Sequence, residues 1–123
     1  MYDKSLVIET LKQILSASQR IEKRFDSIQS PDDFLSSDEK TDKLDAICMM
    51  LIAIGETPKK IDRISDGQLF LKYPQIDWKG LKGIRDIISH QYFDLDVTAV
   101  YETCKTDIPA IMKVVSQMIR GLE

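Results

Sequence analysis

The chain has 123 residues, of which 43% are hydrophobic and 30% are charged, and it carries a net charge of −3. That length fits one domain with a sizeable core, which we expect to span residues 1–123. The acidic balance argues against general nucleic-acid binding, because such binding depends on neutralising phosphates and here requires a local basic patch. No apolar run is long enough to span a bilayer and the first residues do not form a signal peptide, so we expect a cytoplasmic protein without membrane contact.

The first third of the chain predicts one long helix and one short helix. Periodic apolar residues indicate a helix from about Ser5 to Phe25. Ser30 and Pro31 then indicate the start of a short helix, because serine caps helices and proline suits their first turn. Ser36, followed three residues later by Glu39, fits a capping box for the next helix.

The second long helix is predicted from about Asp38 to Ile64, and its middle, Ala46–Ile54, reads AICMMLIAI. A helix that is apolar on every side must be covered on every side, either by its own bundle or by a second protomer, and the residues leave both alternatives open. Glu56 follows this apolar stretch. It is expected either to pair with a cation such as Arg85 or to form a surface salt bridge, because an unpaired carboxylate beside buried surface is costly. Pro58 favours a kink.

Residues 65–76 contain an Asp-Gly and a Tyr-Pro pair and are predicted to connect two helices. Asp77 is a candidate N-cap for the next helix, and Trp78 is expected to anchor the start of that helix in the core. Gly80 and Gly83 are unfavourable inside a helix. They indicate that a neighbouring backbone or a substrate approaches closely.

The last predicted helix is capped by Asp96 and carries an apolar stripe from Val97 to Leu122. Pro109 lies inside this stripe, so we expect a kink between Lys105 and Pro109. No stretch has the alternating pattern of a strand. The expected fold is therefore an all-α, up-and-down bundle of four main helices plus a short helix.

Candidate metal ligands are few, because the chain has one histidine and two cysteines that are distant in sequence. We therefore expect no metal site and no cofactor. Cys48 and Cys104 lie in apolar helical runs and are expected to be buried, free thiols.

The residues with the most chemical potential lie in the stretch 81–96, LKGIRDIISHQYFDLD, whose apolar spacing predicts an amphipathic helix. It contains the single histidine, His90, with Arg85 five positions before it and Tyr92 two positions after it. Asp86 precedes His90 by four residues, which is contact distance on a helix. Asp86 could hold one imidazole nitrogen and leave the other free.

A basic patch surrounds this stretch. Lys79 and Lys82 accompany Arg85, with Lys72 and the segment Lys59–Arg63 as further contributors. The alternative for any single lysine is an ordinary solvated position on a helix.

The spacing Arg85-x4-His90-x-Tyr92 resembles the RX4HXY motif of HepT-like toxins, which are ribonucleases of the HEPN superfamily. Residues 53–56, AIGE, resemble the family's IGE segment. The resemblance covers nearly the whole chain, because further similar residues fall at Trp78, Gly83, Tyr92–Phe93 and Asp107–Pro109.

This resemblance implies a metal-independent endoribonuclease in which His90 transfers protons and Arg85 binds the phosphate, with Asp86 and Glu56 in supporting positions. The chemistry of the residues agrees, since an imidazole titrates near neutrality and a guanidinium fork matches phosphate oxygens. One imidazole per chain is little for acid–base catalysis. A two-fold homodimer would bring two copies of each residue to one cleft, as the resemblance also implies.

The resemblance further implies RNA as the substrate, and the basic patch offers Lys79 and Lys82 as contacts for it. It also implies a type VII-like toxin–antitoxin system, in which an MntA-like nucleotidyltransferase antitoxin silences the toxin by attaching AMP to Tyr92. The alternative function is a non-catalytic helical partner that binds and regulates a nucleotidyltransferase. The Arg85, His90 and Tyr92 set favours the ribonuclease, whereas the negative net charge favours the alternative.

Overall fold

The computed structural model describes residues 2–90 and 92–123, and in this part of the chain all regular structure is helical. The predicted all-α bundle of four main helices with a short helix is confirmed. The last two α-helices count as one main helix, because a π-helical stretch, Thr103–Asp107, joins them into one continuous helical segment. The α-helices are α1 (Lys4–Phe25), α2 (Asp38–Ile64), α3 (Trp78–His90), α4 (Val97–Glu102) and α5 (Ile108–Leu122), and the short 3₁₀ helices are Pro31–Leu35, Phe70–Lys72 and Tyr92–Asp94.

Helix α2 packs against both α1 and α3, and α1 packs against both α2 and α5. The apolar stripes of these helices meet in one core. Its largest fully buried side chains include Phe34, Leu11, Ile14, Ile21, Ile47, Leu51, Ile54, Ile61, Ile88, Ile108, Ile111 and Met118. Among residues 2–90 and 92–123, no helix is both long enough and apolar enough to cross a membrane.

The start of α2 differs from the predicted capping box. The N-cap is Ser37, whose hydroxyl accepts a hydrogen bond from the Lys40 N–H at 3.2 Å. Ser36 instead donates its hydroxyl to the Asp33 carbonyl at 2.7 Å, so the capping box at Ser36 is wrong by one residue. Ser30 stands at the N-cap position of the short helix before it, but its side chain makes no capping hydrogen bond.

The predicted caps of the two later helices are confirmed. The Asp77 carboxylate accepts from the Gly80 N–H at 2.8 Å and so caps α3. The Asp96 carboxylate accepts from the N–H groups of Thr98 and Ala99, at 3.0 and 3.3 Å, and caps α4. Each cap therefore fixes the residue at which its helix begins.

Both prolines predicted to disturb helices are accommodated within helical structure. Helix α2 continues through Pro58, which has no N–H to donate to the Ile54 carbonyl, and the Thr57 hydroxyl donates to that carbonyl instead, at 2.6 Å. Pro109 lies in the first turn of α5, directly after the π-helical stretch. The disturbance expected between Lys105 and Pro109 is therefore a wider hydrogen-bond register, in which the Ile108 N–H bonds five residues back.

The connector before α3 anchors that helix through Trp78. The indole ring stacks on Phe70 with 4.2 Å between ring centroids, and its N–H donates to the Tyr73 carbonyl at 3.1 Å. The structural role expected of Trp78 is thus present.

The two cysteines, Cys48 and Cys104, are free and buried, as expected. Burial raises the pKa of each thiol to about 12. Neither side chain is therefore a nucleophile near neutral pH.

The apolar stretch Ala46–Ile54 is only partly covered by the chain's own bundle. Ile47, Leu51 and Ile54 are buried, but Met49 is 62% exposed. Ala53, one turn further on, is also exposed. One side of α2 therefore remains open in a single chain.

Candidate active site

Helices α2 and α3 approach each other closely at Gly55. A Cβ atom at this position would lie 2.4 Å from the Arg85 Cβ and 2.8 Å from the Leu81 carbonyl oxygen, which is closer than such atoms approach. The missing side chain therefore allows the backbone of α3 to seat Arg85 directly against α2.

Sequence reasoning placed the close approach at Gly80 and Gly83 instead. A Cβ at Gly80 would meet only the carboxylate of the helix cap, Asp77, and a Cβ at Gly83 would meet no described atom within 4 Å. No neighbouring backbone of the described residues therefore approaches Gly83, and the alternative, a closely approaching substrate, stays a prediction. The available signal for Gly55 was its position at the end of the apolar stretch of α2, where glycine weakens a helix without any local turn to justify it.

The guanidinium group of Arg85 is held by two carboxylates. Its Nη1 lies 2.7 Å from Asp86 Oδ1 and its Nη2 lies 3.3 Å from Glu56 Oε1, so the expected pairing with Glu56 is present. The hydrogen bonds to Asp86, and then to Glu56, raise the pKa of Arg85 above its ordinary value. The Nε atom is buried without a hydrogen-bond partner among the described residues. Nη1 and Nη2 each keep a second N–H beyond the one bonded to a carboxylate.

Arg85 opens onto a shallow recess of about 390 Å³ between α2 and α3. The residues that line it include three cations and two carboxylates, so it carries a small positive excess within a chain that is negative overall. Lys82 lines this recess, and Lys79 does not, although it lies one turn earlier on α3. The lining residues are Gly55, Glu56, Lys59, Lys82, Arg85 and Asp86.

His90 is exposed at the end of α3, and its Nδ1 lies 2.9 Å from the main-chain carbonyl oxygen of Asp86. A carbonyl oxygen only accepts, so Nδ1 carries the proton and Nε2 is left as the acceptor. The expected contact between Asp86 and one imidazole nitrogen is thus present. It is made by the main chain of Asp86, and the carboxylate is engaged by Arg85. His90 does not line the recess that contains Arg85.

Tyr92 follows α3 and is 40% exposed. Its hydroxyl donates a hydrogen bond to the carboxylate of Asp45, on α2. The two side chains line a second recess, of about 410 Å³, whose other walls include Cys48, Met49, Ile52, Ile88 and Ser89. Sequence reasoning did not single out Asp45, because 47 residues separate it from Tyr92 and no local pattern joins them.

Within the described parts of the chain, no group of three or more histidine, cysteine, aspartate or glutamate side chains is close enough to hold a metal ion. The reactive groups described above are one imidazole, one guanidinium, nearby lysines and carboxylates.

The family model described as "Ribonuclease HepT-like" matches residues 14–118. The chain belongs to the HepT-like family. The matched span includes both recesses described above, together with His90 and Tyr92.

Several relatives that are named as ribonucleases are similar in sequence to this chain. The chain is 42% identical over 78 residues to "Putative RNase MJ0125" of Methanocaldococcus jannaschii, an alignment that covers 63% of the chain and 64% of that protein. It is 28% identical over 123 residues to "Putative RNase MJ0127" of the same organism, which covers 100% of the chain and 87% of that protein. It is 35% identical over 80 residues to "Probable ribonuclease HepT" of Thermococcus cleftensis, which covers 65% of the chain and 66% of that protein.

The similarity to the first of these relatives spans less than two thirds of that relative's own length, as it does for a further Methanocaldococcus protein, of which 61% is covered. No solved structure shows a significant match to the chain.

Proposed function

We propose that this chain is an endoribonuclease toxin that cleaves RNA without a metal ion, as one domain over residues 1–123. Membership of the HepT-like family and the names of the relatives as ribonucleases support this function. The observation that carries it is the pair of contacts made by Asp86. Its carboxylate orients Arg85, while its main-chain carbonyl fixes the proton of His90 on Nδ1 and leaves Nε2 as an acceptor.

In the proposed reaction, the ribose 2′-hydroxyl attacks the adjacent phosphorus atom while His90 Nε2 accepts its proton. The P–O bond to the 5′ oxygen then breaks, and an imidazolium returns a proton to that leaving oxygen. Arg85 stabilises the negative charge that develops on the phosphoryl oxygens, because a guanidinium stays charged and binds two oxygens at once. Glu56 and Asp86 hold the guanidinium in place, and Lys82 and Lys79 contact neighbouring phosphates.

We further propose that the active form is a homodimer with a composite site. The residues Asp45, Met49, Ile52 and Glu56 follow one another at helical spacing along one side of α2, so the open apolar surface lies between the Tyr92 end and the Arg85 end. A two-fold axis through this surface reverses the order of the partner's residues. The Arg85 region of one protomer is thereby brought towards the His90 region of the other, which supplies a second imidazole.

We also propose that a cytoplasmic, MntA-like nucleotidyltransferase antitoxin silences the toxin by attaching AMP to Tyr92, as in a type VII-like system. Tyr92, which is 40% exposed, lies two residues after His90, at the edge of the proposed cleft. An attached AMP adds negative charge and bulk at a site that must bind a polyanion. It therefore opposes RNA binding both electrostatically and sterically.

The test is RNA cleavage by purified protein with Arg85→Ala, His90→Ala and, as a matched control, Arg120→Ala, an exposed arginine on α5. The first two variants are expected to lower the cleavage rate by at least about 100-fold, as the loss of a general acid–base group does, with unchanged helical circular dichroism. The control is expected to cleave at the wild-type rate, and EDTA is expected to have no effect.

Full activity of either site variant would refute the catalytic assignment, and cleavage that needs a restored divalent ion would refute the metal-independent mechanism. Wild-type protein that cleaves no RNA but binds a nucleotidyltransferase would favour the alternative function, a non-catalytic regulator.

A further inference from the structure

The hydrogen bond between Tyr92 and Asp45 is not used by the proposed RNA cleavage. Asp45 is exposed on α2 and has no cation within ion-pair distance among the described residues. The Tyr92 hydroxyl is its one hydrogen-bond partner there. A carboxylate that accepts this hydrogen bond can also accept the phenolic proton when the hydroxyl reacts.

This environment distinguishes Tyr92 from the other tyrosines. The hydroxyl of Tyr101 donates to a main-chain carbonyl, that of Gln29, at 3.3 Å. Tyr2 and Tyr73 have no hydroxyl hydrogen bond to a described residue. Among the described residues, Tyr92 is therefore the tyrosine whose hydroxyl contacts a carboxylate that can act as a base.

A phenol is a weak nucleophile near neutral pH, because its ordinary pKa of about 10 leaves roughly one molecule in a thousand ionised at pH 7. Hydroxyl nucleophiles in proteins are activated by a base within hydrogen-bond reach. The geometry of Asp45 and Tyr92 meets that requirement.

We propose that Asp45 is the general base for nucleotidyl transfer to Tyr92, an inference that rests on the modification proposed above. In this step a bond forms between the Tyr92 Oη and the α-phosphorus of ATP, and the bond between that phosphorus and the pyrophosphate oxygen breaks. Pyrophosphate leaves with the electron pair, and the phenolic proton passes to the Asp45 carboxylate. The recess around the pair is lined by no lysine or arginine, so the transferase must neutralise the triphosphate while the toxin supplies the base.

The test measures single-turnover transfer of AMP from Mg–ATP to the full chain by a purified MntA-like nucleotidyltransferase, followed by intact mass and peptide mapping. Asp45→Asn keeps the size of the side chain and an accepting oxygen but removes the base. It is expected to lower the rate at Tyr92 by about 100-fold, within the usual range for general base catalysis. Asp42→Asn, an exposed control almost one turn earlier on α2, is expected to react at the wild-type rate.

A pH series separates proton transfer from a merely structural effect. The wild-type rate is expected to be flat between about pH 6 and 9, whereas the Asp45→Asn rate is expected to rise about tenfold per unit as the phenolate fraction grows. A wild-type rate that itself rises in this way overturns the inference, even if the variant does not fold.

The outcomes distinguish this inference from the function on which it rests. Wild-type modification at Tyr92 with an equal rate in Asp45→Asn overturns the role of Asp45 alone. A wild-type chain that takes up no AMP, or takes it up elsewhere, overturns the proposed modification and this inference together.

Discussion

At position 55 the absence of a side chain decides where Arg85 lies. Gly55 is buried, and the space that a Cβ would need is filled by the Cβ of Arg85 and the carbonyl oxygen of Leu81. Glu56, the next residue, then reaches the guanidinium at 3.3 Å. The Gly-Glu pair therefore performs two linked tasks, since the first residue admits the arginine and the second orients it.

Gly55→Ala is expected to force α2 and α3 apart and to displace Arg85. Overpacking of this kind costs about 1–3 kcal/mol of unfolding free energy, and a displacement of about 1 Å at a catalytic group lowers activity by about 100-fold. Urea unfolding and RNA cleavage measure the two effects.

Gly83→Ala on α3 is the matched control, because its Cβ meets no described atom within 4 Å. It is expected to raise the unfolding free energy by up to about 1 kcal/mol through helix propensity, with cleavage unchanged. Equal behaviour of the two alanine variants would contradict the packing role assigned to Gly55.

The site was predictable from the sequence where its contacts are local or motif-like. The pairing of Arg85 with Glu56 was one of two alternatives that the cost of an unpaired carboxylate beside a buried stretch left open. The link between Tyr92 and Asp45 was not predictable, because it depends on how α3 crosses α2 and joins residues 47 positions apart. The atom of Asp86 that contacts His90 was also missed, since Arg85 competes for the carboxylate.

Among the elements, the short helix Pro31–Leu35 is fastened to α2 by one carboxylate. Asp33 lies 2.8 Å from the Lys40 ammonium and also accepts from the Gln29 N–H at 3.0 Å. The hydrogen bonds to Lys40 and then Gln29 lower the pKa of Asp33 from 3.8 to about 2. This attachment holds Phe34, the largest side chain of that helix, in the core.

A carboxylate whose pKa is lower in the folded chain stabilises the fold above its unfolded pKa and loses that effect as the pH falls through the folded value. Asp33→Asn is therefore expected to lower the melting temperature at pH 7, and its difference from wild type is expected to shrink as the pH falls from about 4 to about 2. Thermal unfolding followed by circular dichroism checks this.

Asp32→Asn serves as the control, because Asp32 is an exposed neighbour in the same short helix with no hydrogen bond from its side chain. It is expected to melt like the wild type at every pH. A difference between wild type and Asp33→Asn that stayed constant down to pH 2 would show that the ion pair is not the cause.

The elements themselves were largely predictable, because apolar periodicity and caps such as Asp77 and Asp96 act within a few residues. The errors arose where two local solutions are nearly equal. Ser36 and Ser37 are both suitable N-cap residues. Ser37 caps the helix, because the hydroxyl of Ser36 is hydrogen-bonded to Asp33 in the preceding turn. The π-helical form of the disturbance at Pro109 depends on the packing of α5 and carries no local signature.

For the whole molecule, the open side of α2 is the surface on which the proposed dimer depends. Met49 is 62% exposed there, and Phe93, beside Tyr92, is fully exposed. Burying such side chains contributes about 1.5–3 kcal/mol each. We therefore expect the wild-type chain to sediment as a dimer at micromolar concentration.

Met49→Glu is expected to shift the dimer to monomer, because it places a charge in the centre of the apolar surface. Leu71→Glu is the control, since Leu71 is 74% exposed but lies outside both recesses. Light scattering after size exclusion decides the matter, and a wild-type chain that stays at the monomer mass of 14.1 kDa would rule out the composite site.

The π-helical stretch Thr103–Asp107 has a consequence for how the chain tolerates changes in its length. Its hydrogen bonds span one residue more than those of an α-helix, so the stretch absorbs one extra residue. Deleting one residue within it would restore the α-helical register and leave the core-facing sides of α4 and α5 in the same relation. A deletion elsewhere in these helices would rotate the downstream side chains by about 100° and expose the apolar stripe. Natural insertions and deletions in the last helix are therefore expected to concentrate in this stretch.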